Sequence, residues 1–232
     1  MRMRYTILTV LLLAALLPRA AAQRHALNMA EHDEKLYYFG ITFGFNFSQY
    51  RMHYTQSFAE TDTIRRASPT WKPGFNLGLM GNLRLNRFVD LRFIPALIFA
   101  EKGIKYNMAP DSTADRSIES IYMSLPLQLK FKSERIRNFR FYAMLGGKFD
   151  YDLSSNARSR RPDEWLKVRA VDLGAEVGVG FEFYYPNFIF SPEIKISQGL
   201  MDQHYRDTHI TLSNAIDNLY TRMVVISIHL EG

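Results

Sequence analysis

The chain has 232 residues, no cysteine and a formal charge of +6. The length fits one domain. The lack of cysteine excludes a disulfide framework and a thiol nucleophile. The charge is too mild for nucleic-acid binding, and it falls to +3 if a leader carrying Arg2, Arg4 and Arg19 is removed.

Residues 1–22 have the layout of a secretory signal peptide. Arg2 and Arg4 form a basic start, Ile7 to Leu17 an apolar run, and Ala20-Ala21-Ala22 a small-residue cleavage site. The run is too short to span a bilayer as a helix, which takes about 20 residues. Residues 23–36 are expected as a short periplasmic lead, too small for a domain, and 37–232 as a membrane domain. Mean hydropathy is only −0.18, but a transmembrane barrel escapes that test because alternate residues face lipid. Aromatic content is high at 14%, and barrels set aromatic rings at both interfaces.

From Tyr37 onward the dominant signal is a two-residue period. Phe39, Ile41, Phe43, Phe45 and Phe47 alternate with Gly40, Thr42, Gly44, Asn46 and Ser48. Similar runs begin at Phe75, Val89, Met123, Phe139, Val171, Phe188 and Val224. That makes eight strands, each long enough for the roughly 9–11 residues of a tilted crossing. Leu85 to Phe88, Ser133 to Arg137 and Tyr185 to Asn187 read as tight turns. Arg51 to Thr70, Lys105 to Ser117, Ser154 to Trp165 and Leu200 to Asp217 read as long polar loops. Short and long connections alternate, as periplasmic turns and outer loops do in bacterial barrels. The expected fold is all-β: an eight-stranded antiparallel transmembrane β-barrel in the outer membrane of a Gram-negative bacterium, with both termini periplasmic. A soluble lipocalin-like barrel, apolar inside, has the same alternation. Side-chain size argues against it, because the polar face carries many glycines and a small lumen has room only for small or paired side chains. A two-sheet sandwich gives no reason for strands this long.

The polar face carries Arg84, Asp90, Arg92, Lys130, Arg140, Lys148, Asp150, Asp172, Glu176, Glu182, Glu193 and Lys195. These are expected to be an ion-pair network filling a closed lumen, because buried charges must be paired. The competing readings are an ion path or a hidden acid/base site. His25, His32, His53, His204, His209 and His229 match no zinc spacing, so no metal and no cofactor are expected. Asp202, His204, Asp207, His209 and Ser213 share the last long loop, with the histidines expected to face water. They would be the residues of a lipid- or peptide-modifying enzyme, but no nucleophile motif surrounds Ser213, and no catalytic residue is assigned. Arg65, Arg66, Arg158, Arg160 and Arg161 lie in long-loop segments and are candidates for lipopolysaccharide phosphate contacts. Trp71, Trp165, Tyr54 and Tyr106 fall near outer strand ends, as an interfacial belt or as packing beneath the loops.

The segment Leu36 to Phe58, with GFNFSQY at Gly44 to Tyr50, resembles the PorT family, called SprT in gliding bacteria. So do PGFNLGLMGNLRLN at Pro73 to Asn86 and SLPLQLKFKSER at Ser124 to Arg135. The likeness runs over the whole mature chain. It implies an outer-membrane accessory of the Bacteroidetes type IX secretion system, needed for export of surface proteases and similar cargo, with other outer-membrane or periplasmic secretion proteins as partners. It implies no catalytic residues. The strand count adds that such a barrel acts by contact and not as the conduit. The alternatives are the barrel enzyme above and a general envelope or adhesin barrel.

Overall fold

The structure, a computed structural model, describes residues 27–54, 64–108, 112–154, 168–204 and 216–232. The signal peptide, the first four residues of the lead with His25, and Arg158, Arg160, Arg161, Trp165, Asp207, His209 and Ser213 lie outside these residues.

Among the described residues, ten strands form a single antiparallel sheet: β1 (Tyr37–Tyr54), β2 (Ile64–Thr70), β3 (Lys72–Arg84), β4 (Val89–Phe93), β5 (Ala96–Met108), β6 (Ser112–Lys132), β7 (Phe139–Asp152), β8 (Val171–Tyr184), β9 (Ile189–Gly199) and β10 (Ile216–Glu231). Only Trp71 separates β2 from β3, and only Ile94-Pro95 separates β4 from β5, so the ten make eight staves. Neighbours pair in the order β1-β10-β9-β8-β7-β6, then β6 with both β4 and β5, both of these with β3, and β3 with β1. The sheet is thus a closed barrel. Closure removes edges, which a membrane requires because lipid cannot hydrogen-bond to backbone.

The alternation decides which face is which. Along β8 every second residue is buried: Asp172, Gly174, Glu176, Gly178, Gly180 and Glu182 point in, while Leu173, Val177, Val179 and Phe181 point out. Leu79 on β3 is 66% exposed on the outer wall. Large apolar side chains outside and polar ones inside overturn the lipocalin arrangement. Inward glycines are needed where the lumen is tightest. A Cβ on Gly180 would lie 2.5 Å from the Tyr142 hydroxyl oxygen, and one on Gly78 would lie 2.7 Å from the Ala96 Cβ.

Three tight turns gather at one end. Asn86 caps the first, its side-chain oxygen accepting from the amides of Phe88 and Val89 at 2.8 Å each. Arg137 takes a left-handed φ of 58° in the second, and the Tyr185 amide donates to the Phe188 carbonyl at 2.9 Å in the third. At the other end strands run further than the alternation predicts. β6 has 21 residues, about twice what a crossing needs. The expected loop from Lys105 to Ser117 is therefore mostly strand: β5 continues to Met108 and β6 begins at Ser112, the two paired throughout. The expected loop from Arg51 to Thr70 likewise loses its ends to β1 and β2. Above the hydrocarbon both faces meet water, so strand pairing persists while the apolar period fades.

Candidate functional site

Among the described residues, the inner face holds eight cations (Arg84, Arg92, Lys102, Lys130, Lys132, Arg140, Lys148, Lys195) and eight anions (Asp90, Asp150, Asp152, Asp172, Glu176, Glu182, Glu193, Glu231). The balance matters because an unpaired buried charge costs several kcal/mol. Nearest the turns, Asp90 accepts hydrogen bonds from the Tyr38 hydroxyl and the Lys132 ammonium, both at 2.7 Å, and lies 4.0 Å from Arg84. Deeper, Arg92 meets Glu193 at 2.7 Å, Glu231 at 3.7 Å and the Asn82 side-chain oxygen at 3.0 Å. Lys130 pairs with Glu182 and stands 3.5 Å from Glu231. The Tyr142 ring lies beneath both cations, 5.1 Å from Arg92 and 4.3 Å from Lys130, and its hydroxyl donates to Glu193 at 2.9 Å. His229 approaches Glu193 at 3.5 Å.

Towards the loop end, Glu176 accepts from Lys195 at 3.1 Å and from Gln128 at 2.7 Å. Asp150 pairs with Lys148 and accepts from Ser124 at 2.5 Å, and Asp172 accepts from Thr221 at 2.5 Å. Lys102 bonds to the Tyr122 hydroxyl and lies 5.2 Å from the Tyr50 ring centre. An internal cavity beside Ile94, Ser227 and His229 measures about 20 Å³, room for about one water. The lumen is filled by its own side chains.

A second closure comes from the lead. Ala30–Asp33 form a 3-10 turn that packs across the end carrying the tight turns. Asp33 bridges Arg135 at 3.0 Å and Arg140 at 2.9 Å. Asn28 donates to the Tyr184 carbonyl at 2.9 Å, and Arg84 donates to the His32 carbonyl at 2.9 Å. The His32 ring is only 3% exposed and lies edge-on to Tyr38, centroids 4.5 Å apart. Burial lowers its pKa from 6.5 to about 4; the Glu231 and Glu182 carboxylates oppose that shift, and Arg84 and Lys35 add to it.

The sequence-predicted lumen residues all stand in these clusters. The reading missed Asp33, His32, Lys102, Lys132, Asp152, His229 and Glu231. Of these, Lys132, Asp152 and His229 already fall on the polar face by the alternation and were left out only of the expected ion pairs. The lead has no period to read. Other expectations need correction. His204 does not face water: it is buried, because the bridge from Val168 to His204 and the bond from the Arg169 amide to the Gln203 carbonyl fold this stretch back onto the barrel. Asp202 is a loop staple, accepting from the amides of His204 at 3.0 Å and Leu219 at 2.9 Å. Arg65 and Arg66 belong to β2 and not to a loop, since the β2 backbone pairs with β5, with a register shift between Ile64 and Arg66. Trp71 is exposed on the outer wall between β2 and β3. No group of three or more His, Asp or Glu among the described residues could hold a metal.

The model of the outer membrane protein beta-barrel domain family matches residues 22–205. The chain belongs to that family of outer-membrane β-barrels. Among solved structures, OprG from Pseudomonas aeruginosa is similar at 14% identity and a TM-score of 0.47, covering 85% of this chain and 97% of its own. Neisserial surface protein A is similar at 13% and 0.39, covering 82% and 95%. The attachment invasion locus protein Ail of Yersinia pestis, in complex with the heparin analogue sucrose octasulfate, is similar at 10% and 0.37, covering 85% and 100%. No curated protein sequence matches the chain.

Proposed function

We propose that this barrel is a non-enzymatic accessory of type IX protein secretion that works by contact with other secretion proteins and not as the conduit. The observation that carries the second half is the filled lumen. Eight staves enclose paired charges and a cavity of about 20 Å³, whereas water channels belong to barrels of 16–18 strands. The secretion assignment itself rests on the resemblance of Leu36 to Phe58 and the later segments to the PorT family. In this reading the tight turns and the docked lead face the periplasm, where secretion partners would meet them. Arg65, Arg66, Arg158, Arg160 and Arg161 would meet lipopolysaccharide at the outer surface. The enzyme alternative loses ground because Asp202 and His204 are engaged in holding the loop base.

The test joins two measurements. Deleting the gene should leave secreted proteases in the periplasm, while the purified barrel in planar bilayers shows no large, stable conductance. Normal secretion without the protein would remove the link to secretion, and a wide open channel would end the accessory reading.

A further inference from the structure

The outer wall is not uniform. A groove of about 780 Å³ runs across β10, β1, β3, β5 and β6, bounded by Ile41, Leu79, Leu97, Met123, Leu125 and Ile228. Its floor is made by Gly78, Pro95 and Ala96. The cause is local. In an antiparallel ladder a hydrogen-bonded pair exchanges two bonds. Here the pair of Leu79 and Pro95 keeps only the Leu79 amide bond, at 3.0 Å, and the pair of Ile94 and Pro126 keeps only the Ile94 amide bond, at 3.3 Å. Proline has no N–H to supply the second. Two adjacent ladder bonds are thus missing, one on each side of the same stave. The compact Pro95 ring also stands in the outward row between Phe93 and Leu97, where a longer side chain would fill the dent. Behind the floor the wall is one side chain thick, since Thr42 and Ala96 line both the groove and the small internal cavity.

We infer that this groove is a binding site for one acyl chain of a membrane lipid. The fold turns this wall towards bilayer hydrocarbon, and the bounding side chains are apolar. The volume is that of preformed ligand pockets, about 300–1,000 Å³. A chain lying in the groove meets side chains on several sides, whereas one against a smooth wall meets them on one side only. Dispersion contacts add up with each touching atom, so this chain exchanges more slowly than its neighbours. The inference is independent of any role in secretion.

The test uses the full barrel reconstituted in dioleoyl phosphatidylcholine vesicles containing a fraction of the same lipid with a photoactivatable diazirine at mid-chain. Crosslinks mapped by peptide mass spectrometry should concentrate several-fold on the segments around Leu79, Leu97 and Met123. The reference is Leu145, Val177 and Ile194, equally open on the opposite wall. Met123→Trp, which fills the groove, should abolish the excess and leave labelling at the reference positions unchanged. If that variant does not fold, the comparison within the native barrel still decides. Even labelling around the wall would overturn the inference. So would protection of the groove in native outer membranes by a crosslinked protein instead of a lipid.

Discussion

At the scale of single residues, position on one face or the other sets the cost of a change. Leu79 stands 66% exposed on the hydrocarbon side, so Leu79→Arg should cost about 2–4 kcal/mol in folding into vesicles, followed by denaturant titration. Arg at the neighbouring Gly78 should fail for a different reason, by collision with Ala96 and the Pro95 carbonyl. A neutral Leu79→Arg would mean that the faces are reversed. Within the lumen the pairing between Arg92 and Glu193 gives a second contrast. Removing only the arginine as Arg92→Met strands the buried Glu193 and should cost about 3–5 kcal/mol. Adding Glu193→Leu to that variant should recover part of the loss, because an apolar pair of similar size has no stranded charge. A double variant no better than the single one would show that the wider cluster around Tyr142 and His229, not the pair, sets the energy.

At the scale of elements, the docked lead should respond to pH. His32 is held neutral by burial, with its pKa lowered from 6.5 to about 4. Between those values the undocked lead binds more protons than the docked one, so docking weakens as pH falls through that window and the penalty is complete below about 4. By pH 5 the loss is on the order of 1–2 kcal/mol. Limited proteolysis of the lead in detergent should therefore accelerate between pH 7 and pH 5. His32→Phe, which keeps the ring contact with Tyr38, should flatten that dependence, and an unchanged pH profile in the variant would assign the effect to other groups. Strands and lead also differ in how far the sequence revealed them. β8 was legible residue by residue, because half of it meets lipid and half meets charge. The rim segments Ile64–Thr70 and Ser112 to Ser117 were read as loop, because above the membrane neither face needs to be apolar. Lys102 was lost for the same reason: it lies past Phe99, where the readable run stopped. Asp33 and His32 were invisible because their partners, Arg135, Arg140 and Tyr38, are brought to them only by closure of the barrel.

At the scale of the whole molecule, the paired lumen and closed wall predict a rigid body. Purified protein should be β-rich in detergent and should migrate anomalously on gels unless boiled. Its orientation is open to direct test. A tag near Asp111 or Ser159 should be reachable by antibody on intact cells, and a tag between Arg135 and Asn138 should not. Labelling of the Arg135 turn alone would invert the proposed topology.

The seam between β1 and β10 sets a kinetic condition on how the molecule is made. Gly40 pairs with Glu231 and Phe47 with Val224, so the bond that closes the ring joins segments nearly the whole chain apart. Contacts this distant in sequence form late and slowly. Until they form, β1 offers its open edge, and an open edge invites pairing with any other chain. A nascent barrel is therefore most vulnerable to aggregation after most of its wall is built and before that last pairing. Escort and insertion must shield one strand for the entire interval, and mutations that delay the arrival of β10 should lower yield in the membrane more than they lower the stability of barrels that have already closed.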